Sequence, residues 1–430
     1  MAAVCTAPRW SCVVSGDFEQ IDREFLDDFA TLSSFGATPA GGVDREAGSP
    51  ADLAQRAWFA QWLTDRGFRV HTDDIGNLFG VLEWVPGAPV VLTGSHLDSQ
   101  PLGGRYDGAY GVLASAHAAH RLNQKVAAGG WRPRLNLAVV DWFNEEGSRF
   151  TPSMMGSSVF TGKLAGSAAL ATTDAGSVTV AEAMADSLGQ PWPTPVQSYA
   201  EIHVEQGRIL EDTGVTIGLV TATWAAQKFD VVVTGEQSHT GSTVMADRHD
   251  ALVGAARLVV AVRELAERFA DAPLHTSVGR FDVLPNSPVV VPREVRLNID
   301  LRSPDPAAIV AAVDLLRTTI AAVSVEVGVE IDLALSHAWD QQPYQAAGVS
   351  LAAAAAERLG LTHQEMMTIA GHDSTNLKDQ VPTVMLFVPS VGGIAHNEGE
   401  LTTDEDCLAG VALLSEVLTD LCSEAPAILR

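Results

Sequence analysis

The segment LNLAVVDWF at 135–143 is apolar at nearly every position, and no other feature restricts the fold of this chain more. A strand with one wet face alternates apolar and polar residues, whereas an almost continuous apolar strand is buried on both faces. Such a strand belongs to a sheet with helices layered on either side. The neighbouring sequence agrees. ADLAQRAWFAQWLTDR at 51–66 has helical spacing, opens after Ser49-Pro50 and stops at Gly67. Residues 68–71, 78–82 and 90–93 read as strands, and 111–122 as a helix. The predicted class is α/β, a layered mixed sheet. Ligands in such folds gather at the carboxyl ends of strands, here the loops after Leu92 and Phe143.

At 430 residues the chain has room for two domains. From about 217 the pattern changes. Residues 229–234 read as a strand, 250–269 as an amphipathic helix, 275–283 and 294–301 as strands, 306–323 as a helix, and 324–335 alternates again. That β-α-β-β-α-β order is ferredoxin-like. The expected division is a first α/β part at 1–216, an inserted domain at 217–334, and a return to the α/β domain at 335–430.

Composition excludes several function classes. The formal charge is 27 − 53 = −26, which disfavours nucleic acid and anionic membrane surfaces as partners. Cys5, Cys12, Cys407 and Cys422 form no CxxC pair, so neither a disulfide framework nor a thiolate zinc site is expected. The first residues show no leader pattern, and no run of about 18 apolar residues occurs. The expected location is cytoplasmic, with no membrane partner.

Chemistry concentrates in four clusters, each following an apolar run: LTGSHLDSQPLGGRYDGAYGV (92–112), VDWFNEEGSRF (140–150), EIHVEQGRI (201–209) and PSVGGIAHNEGE (389–400). Together they offer His96, Asp107, Glu146, His203 and His396, a nitrogen and oxygen ligand set suited to Zn²⁺, Mn²⁺, Co²⁺ or Ni²⁺. Five side chains exceed one open tetrahedral site and fit two metals sharing a carboxylate. In a turn after Asn144, Glu145 and Glu146 reach one cavity, one to bind metal and one to accept a proton from water. Taken singly, a His-x-Asp or a Glu-Glu pair is more often a solvated turn. The coincidence of four clusters at strand ends favours a site. His117 and His120, three apart on a predicted helix, read as packing or surface residues, and His71, His249, His275, His337 and His363 lack a site-like context. His239, in TGEQSHTGSTVMADRHDA (234–251), fits a loop reaching into a site as well as it fits a surface turn. Arg302, in NIDLRSPD, can bind a carboxylate bidentately or pair with Asp305 at the surface.

The motifs GSHLDSQPLGGRYDG, NEEGSRF, HVEQG, SHTGST, AGHDS and GGIAHNEGE resemble the amidase/hydantoinase/carbamoylase family. This branch of the binuclear metallopeptidases holds N-carbamoyl-L-amino-acid hydrolases, allantoate and ureidoglycolate amidohydrolases and β-ureidopropionases. The resemblance runs from Gly41-Gly42-Val43 past Glu400. It implies a metallohydrolase domain with an inserted ferredoxin-like lid and dimerisation domain. It also implies two divalent metal ions: Asp107 bridges them, His96 and His203 complete one site, and Glu146 and His396 the other. Glu145 would be the general base and Asp98 would orient His96. Gln206, His239, Arg302 and the turn Gly371-His372-Asp373 match substrate-contacting positions, with His239 serving the partner subunit of a homodimer. The implied reaction is hydrolysis of a linear amide or ureido C–N bond in a small N-carbamoyl or related ureido acid. The alternatives are an N-acyl-amino-acid amidase or dipeptidase and, more remotely, a silent binding or dimerisation module.

Three positions depart from the family pattern, all on the substrate side. Val289 stands where an asparagine beside Arg302 is expected, with Asn286 a possible substitute. Val244 replaces a proline, and Thr223-Trp224-Ala225 is bulkier than the usual glycine-containing stretch.

Overall fold

The computed structural model describes residues 16–269 and 272–423; Cys5 and Cys12 lie outside them. Contacts divide the chain into two units, Ala222–Pro343 with Met367–Ala370 forming one and the remainder the other. The limits fall at 222 and 343 rather than at 217 and 334.

Helices α1 (Gly16–Leu32) and α2 (Pro50–Asp65) lead into strands β1 (Arg69–Thr72), β2 (Leu78–Leu82) and β3 (Val90–Ser95). Then come α3 (Ala109–Ala127), β4 (Asn136–Asp141), β5 (Val196–Val204) and β6 (Ile217–Thr223). The middle of the chain holds β7 (Ala225–Thr234), β8 (Ser238–His239), α4 (Ala251–Leu265), β9 (His275–Ser277), β10 (Phe281–Leu284), β11 (Val290–Val291), β12 (Glu294–Ser303), α5 (Pro306–Val327) and β13 (Glu330–Trp339). Last are α6 (Ala346–Leu359), β14 (His363–Thr368), β15 (Thr383–Val388) and α7 (Asp404–Ser423).

The larger unit is built on a mixed sheet ordered β1-β2-β4-β3-β5-β15-β6-β14. Its centre is parallel, β4 with β3, β3 with β5 and β5 with β15, while β2 and β6 join it antiparallel. Adjacent Leu137 and Ala138 are both fully buried, as a strand covered on two faces requires. One face packs Leu113, Val411 and Leu414 from α3 and α7; the other packs Phe79, Trp142 and Tyr199. Each such large apolar side chain contributes roughly 1.5–3 kcal/mol. The register sets Ser95 beside Asp141 and Val204 beside Val388, so the parallel strands end level and release their loops at one edge.

The smaller unit is an antiparallel sheet ordered β10-β12-β7-β13, with β9 also on β12. Along β12, Val295, Leu297, Ile299 and Leu301 are buried in one cluster with Leu258 and Val262 of α4 and Leu316 and Ile320 of α5. The even-numbered residues of β12, Asp300 and Arg302 among them, face the other way. Helix α5 is long and apolar enough to cross a membrane by length and composition, with a peak mean hydropathy of 1.8. Here its apolar stripe covers the sheet, and Asp305 caps it by accepting from Ala307 N at 2.9 Å.

Two sequence expectations need correction. The alternation at 324–335 is not one strand: α5 runs on to Val327, Gly328 ends it with φ 72°, and β13 starts at Glu330. Val323, Val325 and Val327 mimic a strand period, but only the glycine stops the helix. The single strand expected at 275–283 is two, β9 and β10, separated by a three-residue break containing Gly279.

Candidate metal centre

The level strand ends of the larger unit deliver the clustered residues. β3 ends directly before His96, β4 before the turn carrying Glu145 and Glu146, β5 carries His203, and β15 leads into the loop with His396. From His96 to Gly108 the backbone bends where side chains cannot fit. Gly108 has φ 63°, and a Cβ there would land on the His96 ring; a Cβ on Gly104 would land on the Glu400 carboxylate.

Asp107 is the hub. Its Oδ1 lies 3.1 Å from His203 Nε2 and 3.6 Å from His96 Nε2; its Oδ2 lies 3.1 Å from His396 Nε2. Glu146 Oε2 is 3.4 Å from His396 Nε2, and Glu145 Oε2 is 3.5 Å from His96 Nε2. Gln206 Nε2 donates to Asp107 Oδ2 at 2.7 Å. Two donor groups result, His96-Asp107-His203 and Asp107-Glu146-His396, each with its ligand atoms within 4.8 Å of one another. They share Asp107.

Asp98 stands beside His96. His96 Nδ1 meets the Asp98 backbone carbonyl at 3.0 Å and its carboxylate at 3.7 Å. That carboxylate also accepts from Glu145 N and Glu146 N at 3.1 and 3.2 Å, gripping the glutamate turn that Asn144 opens at φ 52°. His372 packs its ring 4.5 Å from that of His203, and Asp373 beside it is fully buried. Gly371 precedes them, and a Cβ there would meet only the Met154 side chain.

Three further residues carry the site without having been singled out in the sequence. Glu400 accepts from Tyr106 N and Asp107 N at 3.0 and 3.1 Å. Gln100 holds Glu146, donating from Nε2 to Oε2 at 2.9 Å. Glu201, two residues before His203 on β5, is buried and accepts from Ser95 Oγ, Tyr199 OH and Ser374 N. Each lies inside a quoted motif, but its partners lie elsewhere in the chain, where spacing does not reveal them.

The electrostatics show a shortage of positive charge. Burial first, then the charges of Asp373 and Glu146, lift Glu145 well above the usual carboxylate range. Burial and Asp107 push Glu146 up to about 7 and Glu400 to about 8. Burial acts against Asp107 as well, yet hydrogen bonds with His203 and His396 hold it well below its ordinary value. Burial lowers His96 to about 4, leaving a neutral imidazole. Buried carboxylates at this density call for a cation. The donor set, imidazole nitrogen and carboxylate oxygen without sulfur, fits a divalent transition metal.

A model of the peptidase family M20/M25/M40 matches residues 92–420. The chain belongs to this family. Its members are metal-dependent hydrolases, and this chain falls in the amidase/hydantoinase/carbamoylase branch. It is 55% identical over 405 residues to a putative hydrolase of Mycolicibacterium smegmatis, covering 92% of each chain. It is 33% identical over 398 residues to the allantoate amidohydrolase of Escherichia coli, covering 91% of this chain and 95% of that one. The crystal structure of a hydantoinase/carbamoylase family amidase from Burkholderia vietnamiensis matches with a TM-score of 0.89 at 35% identity, over 94% of this chain and 98% of that one.

Three of the expected amidase residues belong to the smaller unit. His239 pairs with Val290 in the β8–β11 ladder, and its Nδ1 accepts from Gly241 N and Ser242 N at 3.0 and 3.3 Å. Asn286 adopts φ 54° in the loop before β11. Arg302 pairs with Asp300 on its own strand rather than with Asp305, which is occupied in capping α5.

Proposed function

We propose that this chain is a cytoplasmic, homodimeric, two-metal amidohydrolase that cleaves the linear C–N bond of an N-carbamoyl amino acid or a related ureido acid. The observation that carries the reading is the pair of donor triads sharing Asp107, with Glu145 beside them. Similarity to an allantoate amidohydrolase and to a carbamoylase-family amidase supports the substrate class.

His96, Asp107 and His203 would hold one divalent ion, and Asp107, Glu146 and His396 the other; zinc, manganese, cobalt and nickel all suit these donors. Such ions supply Lewis acidity, making a water acidic and polarising a carbonyl oxygen. Glu145 takes the proton from the attacking water and returns it to the leaving nitrogen. Asp98 fixes the backbone that presents Glu145 and Glu146. His239 serves the partner subunit's site. With Nδ1 accepting two backbone N–H groups, its Nε2 carries the proton and can donate to the developing oxyanion. Arg302 anchors the substrate carboxylate, with Gln206, Asn286 and Gly371-His372-Asp373 as further substrate contacts. The smaller unit acts as a ferredoxin-like lid and dimerisation domain inserted in the catalytic α/β domain. A carbamoyl substrate yields a carbamate, which decomposes to carbon dioxide and ammonia.

The test is chelation followed by readdition of Mn²⁺, Co²⁺, Ni²⁺ or Zn²⁺, with turnover of N-carbamoyl amino acids, allantoate, ureidoglycolate, N-acyl amino acids and dipeptides. Metal-dependent ammonia release from ureido acids is expected. Full turnover without metal, or hydrolysis of only the N-acyl or peptide substrates, overturns the proposal.

A further inference from the structure

Arg302 does not present a free guanidinium. Its Nε meets both Asp300 oxygens at 3.1 and 3.2 Å, its Nη2 donates to Asp300 Oδ2 at 2.7 Å, and its Nη1 donates to Ile369 O at 2.8 Å. A guanidinium carries five N–H donors. Three are engaged, leaving one on Nη1 and one on Nη2. Those two remain available to a carboxylate.

The surroundings set the local charge. The register places Lys228 opposite Asp300 and Ala226 opposite Arg302, and Lys228 Nζ lies 3.7 Å from Asp300 Oδ2. His275 faces Arg302 from β9, and partial burial followed by the Arg302 charge lowers its pKa, so it is neutral at pH 7. Two cations therefore share one carboxylate, whose side chain is only 11% exposed. Arg302 and Lys228 together exceed Asp300 by one positive charge, in a chain whose total is −26.

We propose that Asp300 is a specificity-determining positioning residue. It engages the Nε edge of Arg302, so that only the two remaining Nη hydrogens meet a ligand, and it offsets one of the two positive charges of the patch. The patch accordingly accepts substrates with one carboxylate and rejects those with a second carboxylate nearby. The inference rests on the reading of Arg302 as the substrate anchor.

The closest test pair is N-carbamoylasparagine and N-carbamoylaspartate, alike in shape and different by one charge. The wild-type protein is expected to favour the former by about tenfold or more in kcat/KM, the effect of one unpaired charge in a half-buried site. Asp300→Asn keeps an acceptor for Arg302 but frees a positive charge. It should shrink that preference about tenfold, through KM rather than kcat. Lys228→Gln should move the ratio the opposite way. A ratio constant within twofold in both variants, or a change confined to kcat, overturns the inference. A second readout needs no turnover and no metal: propionate and succinate binding to the chelated protein, followed by tryptophan fluorescence. Asp300→Asn must gain succinate affinity relative to propionate, or Lys228→Gln must lose it; no shift in either overturns the inference. If Asp300→Asn and Lys228→Gln shift succinate binding relative to propionate as expected but the wild type hydrolyses none of the ureido acids, the amidohydrolase reading fails while this one stands.

Discussion

Replacing Glu400 tests whether the shape of the Asp107 turn matters as much as the ligands. Glu400 is 5% exposed, and its Oε2 accepts from Tyr106 N and Asp107 N at 3.0 and 3.1 Å. Burial and the Asp107 charge raise its pKa to about 8, so near pH 7 without metal it is mostly a neutral acid. Its two hydrogen bonds then fall in the neutral range, about 0.5–1.5 kcal/mol each, and together about 1–3 kcal/mol. Glu400→Ala strands two buried amides on the peptides leading into the shared ligand. If that energy is expressed at Asp107, metal affinity falls about 10–100-fold, the usual cost of losing a residue that orients a ligand. Glu400→Gln keeps an acceptor of the same shape and should lose less than about 5-fold. The assay is calorimetric titration of chelated protein with Mn²⁺, with circular dichroism confirming that each variant is folded. Wild-type affinity in Glu400→Ala, or equal losses in both variants, would refute the reasoning.

Glu145→Gln removes the proposed base with little change of shape; we expect at least about a 10²-fold fall in kcat with both metals retained, measured by steady-state kinetics and metal analysis. Normal turnover would assign the proton transfer to another group. Inactive His239→Ala chains mixed with inactive Glu145→Gln chains should form hybrids with one working site, and verified mixed dimers without activity would place His239 outside the partner's chemistry. Val289→Asn should improve kcat/KM for small N-carbamoyl amino acids relative to aryl or branched ones, by up to the roughly 1.5–3 kcal/mol of a hydrogen bond to a charged group. A native preference for the small acid that the asparagine weakens would contradict this.

The strands and the clustering of candidate donors were legible because both depend on local pattern. A continuous apolar run declares a two-faced strand, and a histidine or acid just past its end stands at the sheet edge where ligands bind. His96, Asp107, Glu146, His203 and His396 are brought together for this reason. What escaped was pairing between distant or neutral groups. Nothing in the 389–400 motif says that Glu400 turns its oxygen toward the amides of residues 106 and 107. Nor does His-x-Asp spacing show that the Asp98 carboxylate also grips the glutamate turn. Arg302 illustrates the same limit within one segment. Asp300 and Asp305 are both near in sequence, but residues two apart on a strand share a face, and Asp305 begins a helix that needs its cap.

The departures from the family pattern fall where the chain couples its own loops rather than where it gathers metal donors. Val289 O accepts from Thr240 N at 3.3 Å, and the next residue, Val290, pairs directly with His239. The backbone at 289 therefore shares a ladder with the proposed oxyanion donor. Val289 is 59% exposed and Val244 66% exposed, so neither valine is held by packing in this unit. An apolar side chain left in water at a short two-stranded ladder gains most when something covers it. A substrate with an apolar group, or the closing of a second subunit, would supply that cover. Under the proposed function, specificity and assembly would bear on these few exposed residues, while the donors around Asp107 would serve the metal.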